Sequence, residues 1–443
     1  MSQSEQERPA RVVHVPRQAG DVRARWAWAE ASIWTDRMLA ALEQGVKGGV
    51  WFSLIDKVYR PANLEAAYAK VVRNRGAAGV DHVTVQHFAR RRDERLREIH
   101  EQLRAGTFRP QAIRRKLIDK PGSKEKRPLG IPTVRDRVVQ GALRHVLEPI
   151  FEREFAEHSY GFRPGRGCKD ALRRVDGLLK AGYRYTVDID LKAYFDTIPH
   201  DRLLDEVRKH VADSRVLGLI EAYLKAAILD GMEAWEPEAG APQGAVLSPL
   251  LSNLYLNDLD HLMARSGHEM TRYADDMVIQ CRTPEEAAQA LAVVREWVTS
   301  RGLTLHPTKT RVVDVDREGF DFLGYHFHKR YRIPRKKSLD KLRDAIRRKT
   351  RRTSGDSIEQ IIADVNKSLR GWFEYFKHAE RPVFRRLDQW IRMRFRSILR
   401  RRRRGKGRGR GADHQRWPNA YFTERGFFSL EAARASLRPS PSG

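Results

Sequence analysis

Apolar positions in this chain follow helical spacing over long stretches and two-residue spacing over short ones, and the switches between them outline a fold. Helical spacing covers residues 26–42, then resumes through Leu54, Val58 and Leu64 as far as Val72. The segment Asn74-Arg75-Gly76-Ala77-Ala78-Gly79-Val80-Asp81 interrupts it with two glycines, and another helix is expected over 87–103. Residues 113–118 read as a strand that stops at the turn Asp119-Lys120-Pro121-Gly122, and 134–155 return to helical spacing.

Residues 183–191 alternate, with Tyr185, Val187, Ile189 and Leu191 on one face and Thr186, Asp188 and Asp190 on the other. One long helix is expected over 200–229, a turn at Ala241-Pro242-Gln243-Gly244, and a helix over 248–263. The short strands Glu269-Met270-Thr271-Arg272 and Met277-Val278-Ile279 flank Tyr273-Ala274-Asp275-Asp276, which reads as the tip of a hairpin. A helix over 284–301 follows, with strands at 303–305, 311–315 and 320–327. Helices and strands mixed without a repeated βα rhythm fit an α+β domain with an antiparallel sheet. Beyond Pro334 the pattern becomes purely helical. Leu339, Leu342 and Ile346, then Ile358 to Phe376, then Phe384 to Ile398 mark three amphipathic helices with arginine-crowded polar faces.

Charge adds a partner. Lys and Arg number 85 against 57 Asp and Glu, a formal charge of +28, and the excess is spread over the whole chain. That implies a polyanion. No apolar run reaches the ~18 residues of a spanning helix, and the start MSQSEQERPARVV lacks a signal pattern. The expectation is a soluble, cytoplasmic protein that binds nucleic acid and no membrane. Cys168 and Cys281 provide neither a disulfide framework nor a paired-Cys zinc site, and packing is the expected role of both. Arg400 to Arg404 and the Gly/Arg run behind them read as a flexible phosphate-binding linker. The aromatics Trp417, Tyr421, Phe422, Phe427 and Phe428 then suggest a short docked element.

Asp275 and Asp276 are the candidate chemistry. An Asp-Asp pair at a turn is also ordinary solvated turn chemistry, so a third acid decides. Asp190, at the end of the alternating strand, is the best one. Three carboxylates from distant sequence suit Mg²⁺, with Mn²⁺ a possible substitute. Two such ions about 3.5–4 Å apart can activate an attacking hydroxyl and stabilise a leaving pyrophosphate.

The segments VDIDLKAYFDTIPH (187–200), APQGAVLSPLLSNLYLNDLD (241–260), YADD (273–276), LTLHPTKT (303–310) and FDFLGYHF (320–327) resemble, in order, the palm motifs of reverse transcriptases. RPLGIPTVRDRVVQ (127–140) and SYGFRPGRGCKDAL (159–172) are similar to the fingers blocks of the group II intron branch, and NRGAAGVD (74–81) to its additional amino-terminal block. LRGWFEYFK (369–377), the helices to Arg404 and WPNAYFTERGFFSL (417–430) resemble the thumb/maturase and carboxy-terminal segments of intron-encoded proteins.

The resemblance implies a right-hand polymerase fold. Residues 1–49 would be a leader and amino-terminal helix, 50–334 fingers and palm, 335–404 a helical thumb/maturase domain, and 405–443 a basic linker with a small nucleic-acid-binding segment. It implies an RNA-directed DNA polymerase that takes dNTPs, an RNA template and a DNA primer. It would also bind the group II intron RNA to promote splicing, and the target DNA during mobility. The alternatives are a splicing-only RNA-binding maturase and a domesticated reverse transcriptase in host defence or repair. Asp190 and Asp275 would be the principal metal ligands, supported by Asp276. Phe195, five residues beyond Asp190, matches the steric gate that excludes a ribose 2′-hydroxyl, although a core aromatic after a strand is the plain alternative. Lys120 and Arg127 match the residues that grip the triphosphate. The loop between them (PGSKEK) is one residue longer than the family's usual form, so Lys124 or Lys126 could share that role. Gln243 would bond near the nucleotide sugar and Gly244 allow close backbone approach. Lys309 matches a proton donor to pyrophosphate, with a plain surface lysine as the other reading. Tyr273 and Ala274 would pack near the primer end. With about 33 residues after Arg410 and no Cys pairs among them, second-strand cleavage is not expected of this chain, and mobility would draw its primer from elsewhere, such as a replication fork.

Overall fold

A computed structural model of the chain describes residues 21–46, 48–119, 126–407, 409 and 411–437. In chain order the strands are β1 (Ile113–Asp119), β2 (Lys126–Ile131), β3 (Tyr185–Ile189), β4 (Ile228–Asp230), β5 (Glu233–Trp235) and β6 (Glu269–Tyr273). They continue with β7 (Asp276–Cys281), β8 (Arg311–Asp314), β9 (Phe320–Phe322), β10 (Tyr325–His328) and β11 (Tyr331–Pro334).

The site hangs on the antiparallel sheet β6-β7-β3-β8. Alternation along β3 and β7 feeds two different cores. Val187, Ile189, Met277 and Ile279 join the core beneath helix Pro284–Ser300, whereas Val278 points to Ala171, Leu172 and Val175 of helix Cys168–Lys180. Thr186 and Gln280 are buried on that second face too, and the Gln280 side-chain amide donates to Val175 O at 3.2 Å. The acid-bearing face is therefore covered at one end and open at the other, where Asp190 sits.

A second sheet, ordered β2-β1-β4-β5, leans over that open end. β1 and β2 pair antiparallel from Arg114↔Ile131 to Asp119↔Lys126, and β1 meets β4 in parallel. The expected helix over 200–229 is in fact His200–Arg208, Ser214–Leu224 and then β4. Asp213 makes the break: its buried carboxylate caps Arg215 and Val216 N–H and also accepts from Leu54 N–H at 2.6 Å and Ile55 N–H at 2.9 Å. A similar cap, Thr35, starts helix Asp36–Gln44, so 26–35 is irregular. Arg91 separates Val85–Arg90 from Arg92–Ala105 through a non-helical backbone (φ -128°, ψ 39°), with no side-chain cap. The expected strand 303–305 reduces to a single bridge, Leu191↔Leu305. The expected single strand 320–327 is a hairpin, because Leu323 (φ 45°) and Gly324 (φ 83°) turn the chain back.

Helices Lys336–Lys349, Ile358–Phe376 and Arg381–Arg402 follow as the sequence indicates. Their apolar faces share one core with Phe320, Phe322, Tyr325 and Phe327 of β9 and β10. Trp417, Phe422, Phe427 and Leu430 enter the same core, so the element behind the basic linker docks on these helices. Residues 335–404 carry 24 Lys and Arg against 8 Asp and Glu, more than half the net charge of the chain. Among the described residues no helix is long and apolar enough to cross a membrane.

Candidate active site

The β6–β7 hairpin closes with Tyr273↔Asp276 as its last pair, leaving Ala274 and Asp275 as a two-residue turn. Ala274 has φ 58°, a conformation that L residues avoid unless their surroundings impose it. Two neighbours impose it. The backbone of Gly161 lies so close that a Cβ there would stand 2.3 Å from Ala274 N. From below, Arg272 lies with its side chain fully buried. Its guanidinium donates to Asp260 at 2.8 Å, to Asn253 Oδ1 at 2.9 Å and to Ala274 O at 2.9 Å. Asp260 and Asn253 lie on helix Ser248–Arg265, so that helix sets the height of the turn.

Asp275 projects from this clamped turn. Burial pushes its carboxyl up, Asp190 adds to that, and its own N–H, Arg127 and Arg272 pull the other way. Asp190 is fixed by its backbone: its carbonyl accepts from His306 N–H at 2.7 Å and from the Thr310 hydroxyl at 3.2 Å. Its carboxylate pairs with Lys309 Nζ at 3.1 Å. Asp276 faces other groups. Burial, then Asp188 and Asp275, push it up to about 7, against Leu323 N–H and Arg335. Asp188 is itself pushed up to about 6 by burial, with Asp190 and Asp321 contributing. Among the described residues no three His, Cys, Asp or Glu side chains gather closely enough to hold a metal ion. Asp190 and Asp275 thus form a carboxylate pair, and Asp276 stands on its flank.

A cavity of ≈ 290 Å³ is lined by Phe195, Gln243, Gly130, Arg115 and Trp235, among others. Gln243 joins the two sheets. Its side-chain oxygen accepts from Arg127 Nε at 2.7 Å and its carbonyl from Gly130 N–H at 2.6 Å. Gly244 has φ 105°, and a Cβ there would meet Gly130 O at 2.5 Å, so only glycine fits. Phe195 is 8% exposed, packs edge-on against Tyr194, and its carbonyl accepts from Ala241 N–H at 2.7 Å. Arg127 thus acts on Asp275 while bonded to the cavity wall. Lys126 opens β2 opposite Asp119, and Lys120 and Lys124 fall outside the described residues.

Some of this machinery escapes sequence reading. Arg272 was legible only as a charge inside a buried strand, and Asp260 as an acid in an apolar helix. Cys168, expected to be mere packing, begins its helix next to the hydroxyls of Tyr273 and Tyr375 and pushes both phenols up, second to burial. Tyr375 also donates to Leu323 O at 2.7 Å, while Leu323 N–H serves Asp276. A helix of the basic region thereby buttresses the turn behind the second acid. Tyr375→Phe keeps the ring packing and removes that bond. Urea unfolding is expected to shift by about 1 kcal/mol, a hydrogen bond's worth. An unfolding midpoint equal to wild type would show that the buttress carries nothing.

Comparison with known proteins identifies two family domains. A family model described as reverse transcriptase (RNA-dependent DNA polymerase) matches residues 118–327, and one described as group II intron, maturase-specific domain matches 339–417. The group II intron-encoded protein LtrA of Lactococcus lactis is 36% identical over 238 residues, which are 53% of this chain and 38% of that protein. Protein YkfC of Escherichia coli is 31% identical over 343 residues, covering 68% of this chain and 85% of that protein. A 91 kDa protein of the cob intron in Schizosaccharomyces pombe is 30% identical over 364 residues, 63% of this chain and 45% of that protein. The chain therefore spans well under half of the Lactococcus relative and most of the E. coli one.

Proposed function

This chain belongs to the group II intron-encoded proteins that join a reverse transcriptase to a maturase domain, and from that premise we propose that it polymerises DNA on an RNA template and binds intron RNA as a maturase. One observation carries the reading: Asp190 and Asp275, 85 residues apart in sequence, act on one another, and Arg127, which acts on Asp275, is bonded to Gln243 in the wall of a cavity that Phe195 also lines.

Asp190 and Asp275 would hold divalent cations, Mg²⁺ in the first place with Mn²⁺ as a substitute, and Asp276 would support them. Two carboxylates that repel each other across a cleft suit such a charge. When bound, the cations would acidify the primer 3′-hydroxyl and neutralise the pyrophosphate. The chain's own groups position the reactants, which is most of what phosphoryl transfer requires. Arg127, and Lys120 seven residues before it, would grip the triphosphate. Gln243 presents its amide to the sugar, and Gly244 keeps the strap close. Lys309, now on Asp190, would give its proton to the departing pyrophosphate. The basic surface of residues 335–404 suits the phosphates and 2′-hydroxyls of A-form RNA. Residues 50–334 would then be fingers and palm, and 335–404 the thumb. Target DNA would meet the same basic surface.

Extension of oligo(dT) on poly(rA) with dTTP and Mg²⁺ tests the polymerase, and salt-dependent binding of group II intron RNA tests the maturase. Tight RNA binding with no extension would leave a splicing cofactor only. The intact acids at 190 and 275 speak against that outcome, because a pure binder gains nothing from repelling carboxylates.

Phe195 yields a selectivity prediction. Phe195→Ala is expected to raise incorporation of rNTPs relative to dNTPs on the order of tenfold to a hundredfold, the range in which removing pocket volume relaxes discrimination. Competition between dTTP and UTP on the same template measures it. Unchanged selectivity would make Phe195 a packing residue.

A further inference from the structure

Phe162 is placed as folding alone would not place it. Its φ is 58°, its ring is 49% exposed, and it stands 6.3 Å from the ring of Tyr273, tilted by 42°. A bulky residue in left-handed conformation is strained, and an exposed ring gains little from burial in return. Its neighbours hold it there. On one side, Gly161 packs against the Ala274 backbone, its carbonyl accepts from Asn253 Nδ2 at 2.7 Å, and Tyr160 N–H donates to Arg272 O at 2.9 Å. On the other side Arg163 turns inward, buried, with bonds to Glu152 at 3.0 Å and to Ser159 O at 2.8 Å, over the ring of Phe155. Both flanking residues are bolted to the palm, and the ring between them is pushed out beside the catalytic hairpin.

We propose that Phe162 is a stacking platform for a nucleobase at the growing end of the template–primer duplex. The inference rests on the polymerase reading above. Two aromatic rings at an angle, two residues from Asp275 through Tyr273, offer π-faces that every base can use. The ligand class is a nucleobase of either strand, recognised without sequence preference.

Phe162→Gly tests this, since glycine accepts the backbone conformation freely and only the ring is lost. The thermal midpoint is expected to stay or rise. Affinity for poly(rA)/oligo(dT), and the KM for it, are expected to worsen about tenfold, within the range of one lost stack, while kcat at saturating duplex changes little. A 2-aminopurine at the primer 3′ end, or in the template opposite it, should be quenched by saturating wild-type protein in one of the two arms and brighten with Phe162→Gly. Phe162→Trp should restore both. Equal quenching and affinity in wild type and Phe162→Gly, or a fall in thermal midpoint with Phe162→Gly, overturns the proposal. A wild type that extends primers but shows no Phe162-dependent quenching defeats this inference alone. One that shows the quenching but extends nothing defeats the polymerase reading and leaves the platform.

Discussion

Asp275→Asn is expected to lower single-turnover primer extension at least about 10³-fold, in the range of a lost catalytic group, while intron RNA affinity stays within about twofold. Asparagine has the size of aspartate, and the turn that carries it is fixed by Arg272 and Gly161 rather than by the Asp275 carboxylate. What is lost is the charge. Asp190 keeps a partner in Lys309, so the variant should fold as the wild type does. An amide oxygen remains at that place, but the pair would offer a cation one carboxylate charge instead of two. Asp276→Asn should cost less, about tenfold, because Asp276 lies against Asp188, Leu323 and Arg335 as well as Asp275, whereas Asp275 also feels Asp190 and Arg127. Rapid-quench measurement of one incorporation, at saturating duplex and dTTP, reads both. Equal losses at 275 and 276 would contradict the division of roles drawn from the geometry.

The carboxylates were legible in the sequence because charge at the end of an apolar strand or at a hairpin tip has few structural uses. Phe195, Gln243 and Gly244 were legible only through their motifs, and their meeting at one cavity needed β1 and β2 to be placed over the palm. β4 escaped because its three residues continue a helical pattern, and only their pairing with β1 and β5 makes them a strand. The turn at Leu323 escaped likewise, since nothing in Phe322-Leu323-Gly324 but the glycine announces a reversal. Local rhythm reports which face is apolar. It does not report where a side chain from 159 residues away will cap a backbone, as Asp213 does for Leu54. For the same reason Arg272 and Phe162 looked like ordinary members of a strand and a loop.

Arg272 is where fold and site meet, and its loss should show in both. Arg272→Met leaves the Asp260 carboxylate, 4% exposed, without its partner. An ion left alone in such a place costs about 3–5 kcal/mol, so urea unfolding should shift by that amount. Asp260→Asn should do nearly the same from the other side, stranding the guanidinium. Pairing Arg272→Met with Asp260→Leu removes both charges and is expected to regain most of the stability, because apolar replacement of a buried ion pair is often neutral. Activity should not return with it. Ala274 O still lacks the donor that Arg272 provided at 2.9 Å, and the turn bearing Asp275 keeps its strained φ with one fewer restraint. The double variant should therefore unfold like the wild type and yet extend primers roughly tenfold more slowly, a loss within reach of one hydrogen bond to a charged donor. If activity recovers in step with stability, Arg272 serves the core alone and the turn is set by Gly161.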